Sequence, residues 1–499
     1  MLENLALGFD VALSLNNLTF AFLGALIGTA IGVLPGLGPT ATISLLLPLT
    51  FGIEPTTAII MLAGIYYGSQ YGGSTTAILL NLPGEVSAVV TAIEGHKMAK
   101  NGRAGAALAA AALGSFFAGS VATIVVAASG PALTSVALSF GPPDYFSLML
   151  LGLVVACVLA RGSVLKAIAM VVMGVCLGMV GTDVQTGQQR FTFGVPELSD
   201  GLNFVALAMG LFGIAEIILN LEKPEMRSGT VPVRGSLWLT KEEWRYAIPA
   251  SLRGTALGSM LGILPGGGAA LSSFGSYMLE RRLTRRPEKF GNGAIEGLAG
   301  PESANNAGAQ TAFIPLLTLG IPSNSVMALM VGALIIQGIQ PGPRMVTAQP
   351  ELFWGLIASM WIGNLMLLVI NLPMIGVWVK LLQVPYRFMY PSIMIFCVIG
   401  AYSINNNVFD VYAVAAFGAL GYLLSKLAFE PAPMLLGFVL GPMMEEHLRR
   451  AMLLSRGDPM TFLERPISAS LLALAAIALL LMASPAIRRG KTVAVAEGG

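Results

Sequence analysis

The sequence predicts an all-α, polytopic membrane protein of about ten to twelve transmembrane helices, built as two inverted repeats with Pro/Gly-broken helices or hairpins. Three observations predict it. Hydrophobic residues make up 55% of the 499 and charged residues only 11%, giving a mean hydropathy of +0.77. A soluble domain carries about 25% charge, so this chain cannot cover a water-facing surface. The apolar stretches are helical in length, roughly 20 residues each, whereas a barrel would show short alternating strands. Finally, one motif occurs twice: GALIGTAIGVLPGLG at 24–38 and GTALGSMLGILPGGG at 254–268. An offset of 230 carries Gly24, Gly28, Gly32, Leu34, Pro35, Gly36 and Gly38 onto Gly254, Gly258, Gly262, Leu264, Pro265, Gly266 and Gly268.

Taken in order, spans are expected near 17–34, 57–82, 104–128, 145–160, 164–181, 203–220, 247–263, 308–336, 352–380, 389–403, 408–428 and 468–487, with half-helices at 38–52, 266–276 and 431–444. No Lys or Arg precedes the first span, so it lacks the positive start of a secretory signal and is expected to be retained. Residues 1–220 read as the first transmembrane repeat, 221–246 as a cytoplasmic linker, and 247–440 as the second repeat. Residues 441–499 hold a basic loop, a C-terminal transmembrane helix and a cytoplasmic tail.

Charge placement predicts that the repeats are inverted. The first motif is flanked by Glu3, Asp10 and Glu54 without Lys or Arg. The second is flanked by Lys241, Arg245, Arg253, Arg281, Arg282, Arg285, Arg286 and Lys289. Cytoplasmic loops collect Lys and Arg, so the two halves face opposite sides, with Arg488, Arg489 and Lys491 placing the C-terminus in the cytoplasm. The net charge of +2 makes no case for nucleic acid. Cys157, Cys176 and Cys397 lie in apolar stretches without metal-ligand spacing.

The Pro-Gly breaks carry the chemistry. Proline removes a backbone donor and glycine frees the backbone. Unwound backbone at membrane depth is tolerated only where protein or a water-filled cavity surrounds it. The half-helices that follow, near Pro35, Gly36, Gly38 and Thr40 and near Pro265, Gly266, Gly267 and Gly268, expose N–H groups that attract an anion. The upstream Gly24-Gly28-Gly32 and Gly254-Gly258-Gly262 spacings also let helices approach closely.

Two further segments are polar where apolar residues are expected: YYGSQYGGSTTAILLNLPGE (66–85) and PESANNAGAQTAFIPLLTLGIPSNS (301–325). They align through Thr76-Ala77 and Thr311-Ala312 if a gap of about four residues is allowed. Ser74, Thr75, Thr76, Asn305, Asn306, Thr311, Ser323 and Asn324 are candidate substrate ligands, because hydroxyls and amides bind carboxylates. Asn81, Glu302 and Gln310 are candidate ligands for sodium, and Glu85 is a second acidic residue at membrane depth. Asp183 and Arg190 flank a polar loop, Asn405, Asn406 and Asn407 interrupt an apolar region and are candidates to line a pathway, and His96 and His447 read as exposed loop histidines. No catalytic residue is assigned: GxSxG, HExxH and GxxxxGK[ST] are all missing from the sequence.

At GVLPGLGPT, YYGSQYGGSTTAILLNLPGE, LPGGGAALSSFGSYMLER, GPESANNAGAQTAFIPLLTLGIPSN and GPMMEEHLRR the chain resembles the large membrane subunit of the tripartite tricarboxylate transporters. The resemblance implies a translocation subunit in the bacterial inner membrane. It would work with a small membrane subunit and a periplasmic solute-binding protein. It would import tricarboxylates, dicarboxylates or related organic anions, with sodium as coupling ion and no other cofactor. A stand-alone symporter, a channel and a membrane-embedded enzyme are the alternatives.

Overall fold

The computed structural model describes residues 2–34, 37–160, 163–183, 185–222, 231, 233, 236–264, 268–382 and 386–483. It is an all-α membrane protein. The first half holds α1 (Leu2–Ala12), α2 (Leu15–Gly32), α3 (Pro39–Leu46), α4 (Pro55–Leu80), α5 (Ala88–Met98), α6 (Ala104–Ala137), α7 (Pro142–Leu159) and α8 (Val164–Gly178). A hairpin of two-residue strands, β1 (Gly181–Thr182) with β2 (Gln189–Arg190), precedes α9 (Phe204–Ala208) and α10 (Ala215–Leu221), which are joined through a π turn. The second half holds α11 (Lys241–Gly262), α12 (Gly268–Leu283), α13 (Glu296–Thr311), α14 (Phe313–Leu319), α15 (Ser325–Ile336), α16 (Met345–Ala348), α17 (Pro350–Asn371) and α18 (Ile375–Leu381). It continues through α19 (Tyr386–Asn405), α20 (Val408–Lys426), α21 (Ala432–Leu454), α22 (Thr461–Glu464) and α23 (Pro466–Ala483). Among the described residues, five stretches are long and apolar enough to cross a membrane, beside several shorter apolar helices.

Local chemistry sets the helix ends. Glu54 caps α4, its carboxylate accepting from the N–H groups of Thr56 and Thr57 at 3.0 Å, with Pro55 at the first helical position. At the other end Asn81 takes a left-handed conformation (φ 58°), and Gly320 does the same after α14 (φ 73°). The stretch 308–336, expected as one span, therefore breaks at Gly320 and restarts at α15, because a left-handed residue cannot continue a helix. The expected half-helix at 431–444 is instead the start of α21, a helix of 23 residues.

The repeated glycines are a packing seam. A methyl added at Gly28 would lie 2.7 Å from the Cα of Ile65, and one at Gly258 would lie 2.7 Å from the Cα of Ala304. Gly24 and Gly32 face Met61 and Ser69, and Gly254 and Gly262 face Gly300 and Gly308. In both halves residue numbers rise together, so α2 runs parallel to α4 and α11 parallel to α13. A chain that enters along α2 and reaches a parallel α4 must first turn back, and α3 is that returning arm. Likewise α12 returns from α11. The chain thus reverses between α2 and α3 and again between α11 and α12, each pair forming a helical hairpin.

The same contacts fix the internal register. An offset of 239 carries Met61, Ile65 and Ser69 onto Gly300, Ala304 and Gly308, and carries the left-handed Asn81 onto Gly320. Thr311 therefore corresponds to Gly72 rather than to Thr76. The gap needed to match the two Thr-Ala pairs arose from similar sequence at non-equivalent turns.

Helix directions follow from side-chain neighbours. Asn364 lies against Gly119 and Phe353 against Gly130, so α6 and α17 are antiparallel. Ser115 meets Glu302, and Ala118 and Ala122 cluster with Ala307, so α6 runs with α13. Thr56 lies beside Gly355, and Tyr71 and Ser74 share a pocket with Asn371, so α4 runs with α17. Hence α4 and α13, with their hairpins, run in opposite directions through the molecule.

The ends of the molecule differ in charge. Arg103 pairs with Glu243, and Arg286 reaches Glu242 at 3.1 Å and Glu296 at 3.0 Å, joining the loops near 100, 240 and 290. Tracing the helices from this end places every lysine among the described residues there. The opposite end carries the β1–β2 hairpin, where Arg190 and Arg449 pair with both Asp183 and Glu445.

Candidate binding site between the hairpin tips

The two tips converge on one cavity of about 380 Å3. Gly38, Pro39 and Thr40, at the start of α3, line one wall, and Gly268, at the start of α12, lines another. Asn324 and Ser325, at the start of α15, border it too, with Tyr66 and Gln70 of α4, the loop bearing Glu85, Glu216 of α10 and Glu430 just before α21. Each tip packs against the turn that ends its own long helix. A Cβ on Gly38 would come within 3.0 Å of the Gly84 carbonyl oxygen. One on Gly268, whose φ is +48°, would come within 3.0 Å of Asn324 Nδ2. Under the offsets of 230 and 239, Gly38 with Glu85 corresponds to Gly268 with Asn324. The two halves thus present one geometry with different chemistry, a carboxylate on one side and an amide on the other.

Each returning arm also touches the opposite half. Thr40 Oγ1 and Ser325 Oγ lie 3.0 Å apart, and Ser273 Oγ donates to the carbonyl of Ser87 at 2.9 Å. Three helix N-termini, of α3, α12 and α15, therefore open on one space. Their free N–H groups and aligned dipoles favour an anion there. Asn324 spends its Oδ1 on the N–H of Met327 at 3.0 Å as the cap of α15, which leaves its amide nitrogen as a donor.

Of the residues singled out from sequence, Gly38, Thr40, Gly268 and Asn324 meet in this cavity. Pro35, Gly36, Pro265, Gly266 and Gly267 lie outside the described residues. Ser74, Thr75 and Glu302 line a separate pocket. Thr76 donates to the Val33 carbonyl at 2.7 Å and so ties α4 to the hairpin tip. Thr311 donates to Ala307 at 3.0 Å within its helix and abuts Gly262. Asn305 reaches Glu85 at 3.5 Å, and Asn306 donates to Ser115 Oγ at 2.7 Å. Ser323 is buried, with its hydroxyl unpartnered. Asn81 is an exposed helix cap, and Gln310 is buried away from Glu302's pocket with an unpartnered Oε1.

Other polar residues stand differently from the sequence reading. Asn405 donates to Asp410 at 2.8 Å and Asn407 caps α20, so with Asn406 (φ 50°) they build the α19–α20 turn, not a pathway. His96 is buried on α5, its Nδ1 2.9 Å from the Ile78 carbonyl, and His447 lies on α21, stacked on Tyr145. Neither is an exposed loop histidine; a polar flank in sequence does not report which way a helix face turns. Tyr66 and Ser325 were missed. Ser325 was within reach, because it follows the candidate Asn324 and opens an apolar run.

A family profile described as the tripartite tricarboxylate transporter TctA family matches residues 18–436. An uncharacterized 52.8 kDa protein in the TAR-I ttuC' 3' region of Agrobacterium vitis is 60% identical over 488 residues, spanning 98% of this chain and 97% of that protein. An uncharacterized protein in the TAR-II ttuC' 3' region of the same organism is 64% identical over 231 residues, 46% of this chain and 96% of that protein. No solved structure matches.

Proposed function

The chain belongs to the tripartite tricarboxylate transporter TctA family, and from that premise we propose that it is the translocation subunit of a secondary transporter for organic anions. Its substrates are tricarboxylates, dicarboxylates or related anions. The observation that carries this reading is the meeting of both hairpin tips and the α15 N-terminus on one cavity. Substrate carboxylates take the N–H groups of Thr40, Ala270 and Ser325 and the Asn324 amide, and the Tyr66–Gln70 face of α4 closes the site. Sodium accompanies the anion, offsetting its charge where the dielectric is low.

The opposed directions of α4 and α13 support an inverted repeat, the layout from which alternating access arises. The lysine-rich end lies in the cytoplasm and the β1–β2 end faces the periplasm of a bacterial inner membrane. There a periplasmic solute-binding protein delivers the anion, and a small membrane subunit completes the complex.

The test is uptake of labelled di- and tricarboxylates into proteoliposomes holding this chain with its small membrane subunit. Saturable uptake that needs an inward sodium gradient and the binding protein is the expected result. Uptake indifferent to both would remove the tripartite, sodium-coupled reading.

A further inference from the structure

The tip cavity leaves a second set of polar groups unused, on another face of α4. Successive residues turn by about 100° around a helix, so Tyr66 and Gln70 share one face while Tyr71, Ser74 and Thr75 share the next. That second face borders a pocket of about 20 Å3 against α6, α13 and α17, which shares no lining residue with the tip cavity. A space of that size holds one water-sized particle.

The Glu302 carboxylate, 1% exposed, borders this pocket. Ser74 Oγ lies 2.9 Å from both of its oxygens, Thr91 donates to one, and Ser115 Oγ lies 3.5 Å from the other. No Lys, Arg or His lines the pocket. Two lining oxygens, the Tyr71 hydroxyl and Asn371 Oδ1, belong to side chains only 5% exposed and have no partner in the protein. Hydroxyl donors lessen the cost of a buried carboxylate but do not cancel its charge. Oxygen acceptors without donors, around a water-sized space beside one negative charge, are the environment of a small hard monocation.

We infer that this pocket binds one sodium ion between Glu302, Tyr71 and Asn371, so that the coupling ion sits outside the anion cavity. This rests on the sodium-coupled reading above and specifies where the ion goes. Tyr71 and Glu302 come from opposite halves, on α4 and α13, and Asn371 closes the site from α17. The ion therefore draws the two halves together, and α4, which borders both spaces, carries its effect to the anion.

The experiment is binding of radiolabelled sodium to the purified full chain in detergent, for the native protein and for Tyr71→Phe, Asn371→Ala and Glu302→Gln. Saturable binding, displaced by sodium and not by potassium, is expected in the native protein. Loss of one oxygen ligand in Tyr71→Phe should weaken it about tenfold, and Glu302→Gln should abolish it. Tyr71→Phe is the decisive variant: its hydroxyl makes no bond within the protein, so a purely structural role predicts unchanged sodium affinity. Native affinity in both Tyr71→Phe and Asn371→Ala would overturn this site while leaving sodium coupling intact. No sodium binding by the native chain, together with sodium-independent uptake, would overturn both.

Discussion

Replacing the glycines at the centre of each seam tests the internal repeat through its packing. Alanine at Gly28 places a methyl 2.7 Å from the Ile65 Cα, and alanine at Gly258 places one 2.7 Å from the Ala304 Cα. Ordinary contact begins near 3.4 Å, and the carbonyl oxygens of Ile65 and Ala304 stand closer to the added methyl than these Cα atoms do, so each helix pair must separate by more than about 0.7 Å. The obstacle is backbone on a facing helix, which cannot swing aside as a long side chain would. Overpacking of this kind costs about 1–3 kcal/mol, offset by up to about 1 kcal/mol from alanine's better helix propensity. Gly363, within α17, has nothing within 4 Å of an added methyl, so there alanine should stabilise by roughly 0.5–1 kcal/mol. Thermal unfolding of the purified chain, followed by size-exclusion chromatography after heating, should rank Gly363→Ala at or above native. Gly28→Ala and Gly258→Ala should both fall below it by similar amounts. Native stability in either seam variant would refute the close-packing argument, and strongly unequal losses would refute the equivalence of the two halves.

Three further outcomes follow from named contacts. Asp144, fully buried, accepts from Arg465 at 2.6 and 2.9 Å and from the N–H groups of Gly141 and Ser468. Arg465→Gln should therefore cost about 2–3 kcal/mol in thermal unfolding, the two N–H donors sparing it the full penalty of an orphaned buried charge. Glu94 gathers the N–H groups of Gly291, Gly293 and Ala294 and the Tyr277 hydroxyl, all within 2.9 Å. Glu94→Gln should loosen that loop by roughly 1–3 kcal/mol and speed its cleavage in limited proteolysis. Asp183, in the β1–β2 turn, is held well below the usual carboxylate range, first by the Gln185 N–H and then by Thr186, Arg190 and Arg449. A depressed folded value means its contribution is complete above the unfolded pKa of about 3.9 and is lost as pH falls through the folded value. Unfolding temperatures should thus be flat through neutrality and fall only in acid, with a smaller acid decline in Asp183→Asn.

The helix breaks before α3 and α12 were legible in the sequence because glycine and proline act locally: their backbone effects need no knowledge of neighbours. The four-residue glycine spacing likewise announces a close helix contact. The partner of that contact was not legible. An apolar helix such as α4 is buried almost throughout, so its hydropathy carries no phase, and the offset of 239 emerged only from which residues face the glycines. For the same reason the sequence of the 66–85 polar run does not show which of its side chains share a face. Helical rotation divides it, sending Gln70 to the tip cavity and Ser74 and Thr75 to Glu302. Asn371 stood outside both conspicuous motifs, and only the fold brings it to that carboxylate.

The central claim is that the anion occupies the space between the hairpin tips. It is tested most directly by introducing one cysteine at Thr40 or Ser325 in a chain whose native cysteines are replaced, then measuring its reaction rate with a water-soluble thiol reagent. Gln188, in the β1–β2 turn, serves as the control. Substrate anion should slow labelling at positions 40 and 325 in a saturable way and leave position 188 unchanged. Unaltered labelling at the tips, in a protein that still transports the same anion, would contradict the account.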